Sequence, residues 1–213
     1  MDLKKWEENY RLSPVGAEMV ESDFAKYVGT DTLQREWRTR ALEWIDATEA
    51  WCLCAEEMSR MLDRRTGLFG VTAWKDGDRS EWSRLLERYL EKQRLWSGRA
   101  AELVGLDGLL LSAMERYGEL CGLCQRLDSP ALWTAAEAVY GEWSALRSRM
   151  TDGLERTVMP VSQQMDRLTR TLEDSAALSE GKACSVSPLR ESCGFACNFA
   201  RERVNEWKRA FFD

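Results

Sequence analysis

The amino-acid sequence predicts an all-α protein: an elongated antiparallel bundle of long helices, with a short N-terminal lead-in over residues 1–32 and a helical domain over 33–213. Three observations predict it. Prolines stand only at positions 14, 130, 160 and 188, so long stretches keep every backbone donor a helix needs. Apolar residues recur in alternating steps of three and four, the period of a helix packed along its length. Charged residues make up 31% of the chain against 44% hydrophobic, a balance that suits amphipathic helices with one face in water.

Residues 1–32 mix aromatics with "LSPVG" and "YVGTD", which reads as a short helix or two with irregular links, Thr30 or Asp31 capping the next helix. From Leu33 to Arg65 the period is helical. Trp37, Trp44, Trp51 and Met58 occupy one heptad position, and Ala47, Cys54 and Met61 each stand three residues after a member of that row. Large and small side chains alternate along this stripe, as a helix seam or a dimer interface requires. Arg40 falls on the stripe and marks a more exposed start. The segment "TGLFGVTAWKDGDR", residues 66–79, reads as a loop or broken helix, unusually apolar at Leu68, Phe69, Val71 and Trp74.

A second stripe runs from Ser80 to Leu127, through Trp82, Leu86, Tyr89, Trp96, Leu103, Leu110 and Tyr117, with Gly98, Gly105 and Gly108 as points of bending or breakage. Ser129 fits an N-cap and Pro130 a first helical turn. The third stripe comes next, from Trp133 to Leu172, with a kink expected at Pro160 and a fade near Gly181. The stretches flanking Pro130 are each roughly 50 residues, or about 75 Å of helix. Equal lengths and a tight turn predict an antiparallel hairpin. Residues 182–193 read as a loop. The last segment, "CNFARERVNEWKRAFFD", reads as an amphipathic helix, either cut short or packed on a partner.

Composition narrows the chemistry. A net charge of −6 and a pI near 5.1 argue against a general nucleic-acid binder. The chain has no histidine, which removes the usual general base and the commonest zinc ligand. The start, "MDLKKWEE", is no secretory signal, and seven cysteines leave one unpaired, so a reducing cytoplasmic setting is expected. Cys52 and Cys54, Cys121 and Cys124, and Cys193 and Cys197 form close pairs. Because Cys121 and Cys124 lie on a buried stripe, core filling is favoured over a metal or redox role, and no metal, cofactor or catalytic residue is expected.

Arg84 to Glu87 and Arg88 to Glu91 are opposite-charge pairs at i, i+3, expected on a solvated helix face. The sharper reading takes Arg84, Arg88, Lys92 and Arg99 as a basic surface for anionic lipid. Phe69 and Trp74 would then be a membrane-inserting or partner-binding loop. The plainer reading folds them back over the end of the bundle.

In order along the chain, "RRTGLFGVTAW", "WSRLLERYLE" and "DGLLLSAMERYGELCGLCQR" resemble the BAR domain of the sorting nexins, the retromer-associated group, over about residues 33–180. The matching residues are Arg64, Arg65, Phe69, Gly70, Leu86, Ala100, Ala101, Asp107, Leu110, Tyr117 and Arg126. The resemblance implies a BAR-like homo- or heterodimer of antiparallel helices. Such a dimer acts without catalysis on curved endosomal membranes, with an anionic membrane surface as a further partner. The alternative is a spectrin-repeat-like cytoplasmic scaffold that binds protein partners without lipid. "ALEWIDATEAW" is similar to the first helix of such repeats and "EWSALRSRMTDGLE" to the third.

Overall fold

The computed structural model describes residues 1–65, 76–174 and 187–211. Among them every regular element is helical and no strand occurs. Helix α1 spans Leu3–Leu12 and α2 spans Ala17–Val28, so the expected lead-in is mostly helix. Asp2 caps α1, its carboxylate accepting from the backbone N–H of Lys4 at 3.0 Å. Gly29 ends α2 in the left-handed region at φ 82°, a conformation glycine adopts without a Cβ penalty. Helix α3, Thr30–Arg65, starts on the next residue, and Leu33 N–H donates to the Gly29 carbonyl at 3.0 Å.

Helix α4, Asp76–Val104, begins inside the segment expected to be a loop. Phe69 and Trp74 lie outside the described residues. The second stripe breaks at Gly105, as its glycine suggested, and resumes as α5, Asp107–Leu127. Asp128 closes α5 at φ 46°, and α6, Pro130–Gly153, starts at the expected proline. The Ser129 carbonyl accepts from Leu132 at 3.1 Å, the first bond of the new helix.

The expected kink at Pro160 takes a different form. A five-residue π-helical turn, Leu154–Val158, precedes α7, Met159–Asp174. Pro160 has no N–H to give to the carbonyl four residues back, and one turn of wider helix absorbs the mismatch. The expected fade near Gly181 lies outside the described residues. Helix α8, Ser187–Phe211, overlaps the expected loop at 182–193. Pro188 sits in its first turn, where a missing N–H costs nothing.

The chain divides into two compact units, each drawn from two separated stretches. Unit one comprises Met1–Arg40 and Val104–Thr151. Its core joins Val20, Phe24 and Val28 of α2, Leu33 and Trp37 of α3, Leu110, Leu120 and Leu123 of α5, and Leu132, Val139 and Trp143 of α6. Helix α1 buries no residue. It is held by the Trp6 indole, whose ring lies tilted 5.4 Å from that of Phe24 and which donates to Asp23 at 2.9 Å, and by Glu7, which accepts from Arg126 at 3.1 Å.

Unit two comprises Ala41–Leu103 and Asp152–Asp213. Trp44, Trp51, Trp82, Trp96 and Trp207 are all buried in it. The Trp44 ring lies 5.6 Å from that of Trp96 and 5.4 Å from that of Trp207. Trp96 Nε1 donates to Thr48 Oγ1 at 2.8 Å, and that hydroxyl donates to the Trp44 carbonyl at 2.8 Å, so the polar tip of a buried ring is satisfied. Trp51 lies 6.1 Å from Tyr89, whose hydroxyl meets Thr169 Oγ1 at 3.0 Å. Where the π turn begins, Trp207 crosses Gly153 so closely that a Cβ there would sit 2.7 Å from the indole nitrogen.

Candidate functional site

The heptad row lies inside its own units. Trp37, in unit one, is 4% exposed; Trp44, Trp51 and Met58, in unit two, are fully buried. Their burial within the chain is what a seam between its helices requires.

The basic residues of α4 are distributed differently from the sequence expectation. Arg84 and Arg88 line a groove of about 240 Å³ in unit two, opposite the last turns of α3. Helix α3 contributes Glu57, Arg60, Met61 and Arg64 at helical spacing, and α4 contributes Glu81, Arg84, Leu85 and Arg88. Met61 and Leu85 are buried beneath the charged rim. Arg88 does not pair with Glu91 as expected; it donates to Glu57 across the groove at 2.9 Å. Arg84, Arg60 and Arg64 are exposed, and no carboxylate among the described residues lies within ion-pair distance of them. The expected Arg84–Glu87 pair is therefore not made. Side chains that the i, i+3 rule would pair along the helix turn to the neighbouring helix or to solvent.

Arg99 stands apart from that group, bound to Glu43 at 3.0 Å and Glu102 at 2.8 Å. The Glu102 hydrogen bond raises its pKa further and keeps it cationic but neutralised. Lys92 is half-buried and is not among the groove's lining residues. The structure thus brings together two of the four expected residues and adds Arg60 and Arg64. Their i, i+4 spacing at the end of α3 was a visible signal, but their convergence with Arg84 depends on inter-helix register.

Four guanidinium groups against two carboxylates make this a locally positive groove in an acidic chain. Planar guanidinium forks suit phosphate and carboxylate oxygens, which they bind bidentately. Among the described residues no group of three or more metal-ligating side chains converges. A hollow of about 450 Å³ lies in unit one beside α1, and its carboxylate, Asp23, already accepts from Trp6.

The thiols are mostly interior. Cys52, Cys54, Cys124, Cys193 and Cys197 are buried and free, and Cys121 is half-buried. Burial pushes the Cys124 thiol up to about 11 and the Cys193 thiol up to about 12, which keeps both protonated at neutral pH.

No helix among the described residues is long and apolar enough to cross a membrane. Compared with protein families, curated proteins and solved structures, the chain matches none.

Proposed function

We propose that this chain is a non-catalytic helical protein that dimerises and meets an anionic membrane surface, in the manner of the sorting-nexin-type BAR domain it resembles. The observation that carries the reading is the groove rim, where Arg60, Arg64 and Arg84 face solvent beside Arg88 with no ion-pair partner among the described residues. Basic side chains near an anionic surface contribute about 1 kcal/mol each. A role in membrane trafficking on endosomes is what the resemblance adds to that binding chemistry.

A spectrin-repeat-like scaffold draws on α3, which supplies residues to both units. Tandem repeats, however, are each one continuous stretch touching only its neighbours. Here each unit is assembled from two stretches, which favours a hairpin of long helices over an array.

The test is co-sedimentation with vesicles of neutral lipid and of neutral lipid mixed with phosphatidylserine, paired with light scattering for mass. A dimer that sediments with the anionic vesicles, is released as salt rises, and loses binding in the Arg60→Glu, Arg64→Glu, Arg84→Glu variant supports the reading. Equal behaviour on both vesicle types, or a triple variant that binds like the parent, overturns it.

A further inference from the structure

Two buried thiols of unit two are placed for a reaction that the groove does not involve. Cys52 on α3 and Cys197 on α8 are 0% and 1% exposed. Cys52 Sγ lies 3.8 Å from the Cys197 carbonyl oxygen, and Cys197 Sγ lies 3.5 Å from the Cys52 carbonyl oxygen. Such a reciprocal exchange requires the two residues to face each other where their helices pass, each sulfur reaching the other's backbone. Larger side chains hold helix axes about 8–10 Å apart. Here the seam is small: Ala55 on α3, and Ala196 and Ala200 on α8, are buried around the pair.

Core filling explains why these thiols are buried. It does not require them to sit opposite one another, 145 residues apart in the chain. The neighbouring thiols are disposed differently. Cys54 directs its sulfur toward the Leu85 carbonyl of α4, at 3.9 Å, and Cys193 lies one turn before Cys197 on the same helix.

We propose that Cys52 and Cys197 form a reversible disulfide that fastens α8 to α3, made by exchange with a low-molecular-weight disulfide such as oxidised glutathione. The thiolate of Cys197 attacks one sulfur of glutathione disulfide, giving a mixed disulfide and releasing one glutathione thiolate. The Cys52 thiolate then attacks the Cys197 sulfur, forming the protein disulfide and releasing the second glutathione thiolate. The two thiol protons pass to solvent, and the two glutathione molecules carry away the electron pair.

Access controls the rate. Contact with Cys197 and then burial push the Cys52 thiol well above its ordinary range, so the closed form is slow to react. Reaction proceeds when α8 lifts. On its outer side α8 is tied to α3 by Arg201 to Glu49 at 2.9 Å, Arg201 to Glu56, and Arg190 to Asp63 at 3.0 Å. These pairs are partly exposed and weaken with salt, so oxidation should quicken as ionic strength rises.

The test uses the full chain in a glutathione redox buffer. Remaining thiols are alkylated under denaturing conditions, and the digest is searched for cross-linked peptides. The expected product joins the Cys52 and Cys197 peptides. It survives in Cys193→Ala, disappears in Cys197→Ala, and raises the thermal midpoint by several degrees until dithiothreitol reverses it. Because Cys193→Ala keeps the pair, an unstable Cys197→Ala protein would not decide the matter alone. Thiols that stay free through repeated partial unfolding, adducts with glutathione alone, or links scattered without preference for this pair overturn the proposal.

Discussion

The two units use aromatic residues in different ways. Unit two buries five tryptophans and organises three of them, Trp44, Trp96 and Trp207, into one ring cluster. Unit one buries Trp37 and Trp143 and leaves Tyr140 41% exposed, its ring between Tyr117 and Trp143. Its α1 is held through side chains of partial exposure and buries none of its own. A helical unit of this size stays folded by removing apolar surface from water, and a large ring removes much of it at one position. Unit two does so with rings from α3, α4 and α8, Trp44 meeting Trp96 at a tilt and Trp207 edge to face, an arrangement that contributes beyond area alone. Unit one depends more on aliphatic contacts, and one of its helices is peripheral.

The contrast between the units breaks most directly at Trp44. Replacing it with alanine removes the ring that both Trp96 and Trp207 pack against, and should cost about 3–5 kcal/mol. Trp143→Ala in unit one should cost less, because one side of that ring is already open enough for Arg147 to lie over it at 5.7 Å. Urea unfolding monitored by circular dichroism measures both. Equal losses would mean that the ring cluster contributes no more than an ordinary buried side chain.

A smaller effect probes the same cluster from its edge. Gly153→Ala would put a methyl group 2.7–2.8 Å from three atoms of the Trp207 indole. The ring also meets Trp44, 5.4 Å away, so overpacking of about 1–3 kcal/mol is expected, read as a lowered denaturation midpoint. A neutral result would show that the π turn beside Gly153 yields easily, and that unit two is softer than its packing implies.

How much of this was legible in the sequence depends on the range over which each feature is determined. The α3 stripe, the break at Gly105 and the start of α6 at Pro130 are set by residues within a turn or two of one another, and local pattern revealed them. The expected loop at 182–193 ends earlier because Pro188 stands in the first turn of α8, where a missing N–H costs nothing. The π turn answers to Pro160 and to the close passage of Trp207 over Gly153, a contact between distant segments. The groove shows the same limit. Arg84 and Arg88 were visible as basic residues, but their union with Arg60 and Arg64 depends on how two helices align. So does the meeting of Cys52 with Cys197.

The mildest test concerns the peripheral helix of unit one. Glu7 accepts from Arg11 at 2.9 Å within α1 and from Arg126 of α5 at 3.1 Å. Those hydrogen bonds, Arg11 first and Arg126 second, hold its carboxyl below the ordinary value of 4.5. A carboxyl depressed in the folded state contributes above its unfolded pKa, and the contribution is lost as pH falls through the lower, folded value. Amide exchange in α1 should therefore be slower in the parent than in Glu7→Gln near neutral pH, with the difference closing in acid. The two arginines separate the causes. Arg11→Gln should loosen the helix itself, as the loss of an i, i+4 pair does. Arg126→Gln should leave α1 helical but less firmly docked, its Trp6 contact to Asp23 remaining. If neither variant changes exchange in α1, the Trp6 anchor alone sets its docking, and unit one resembles unit two in relying on a buried-edge aromatic rather than on charge.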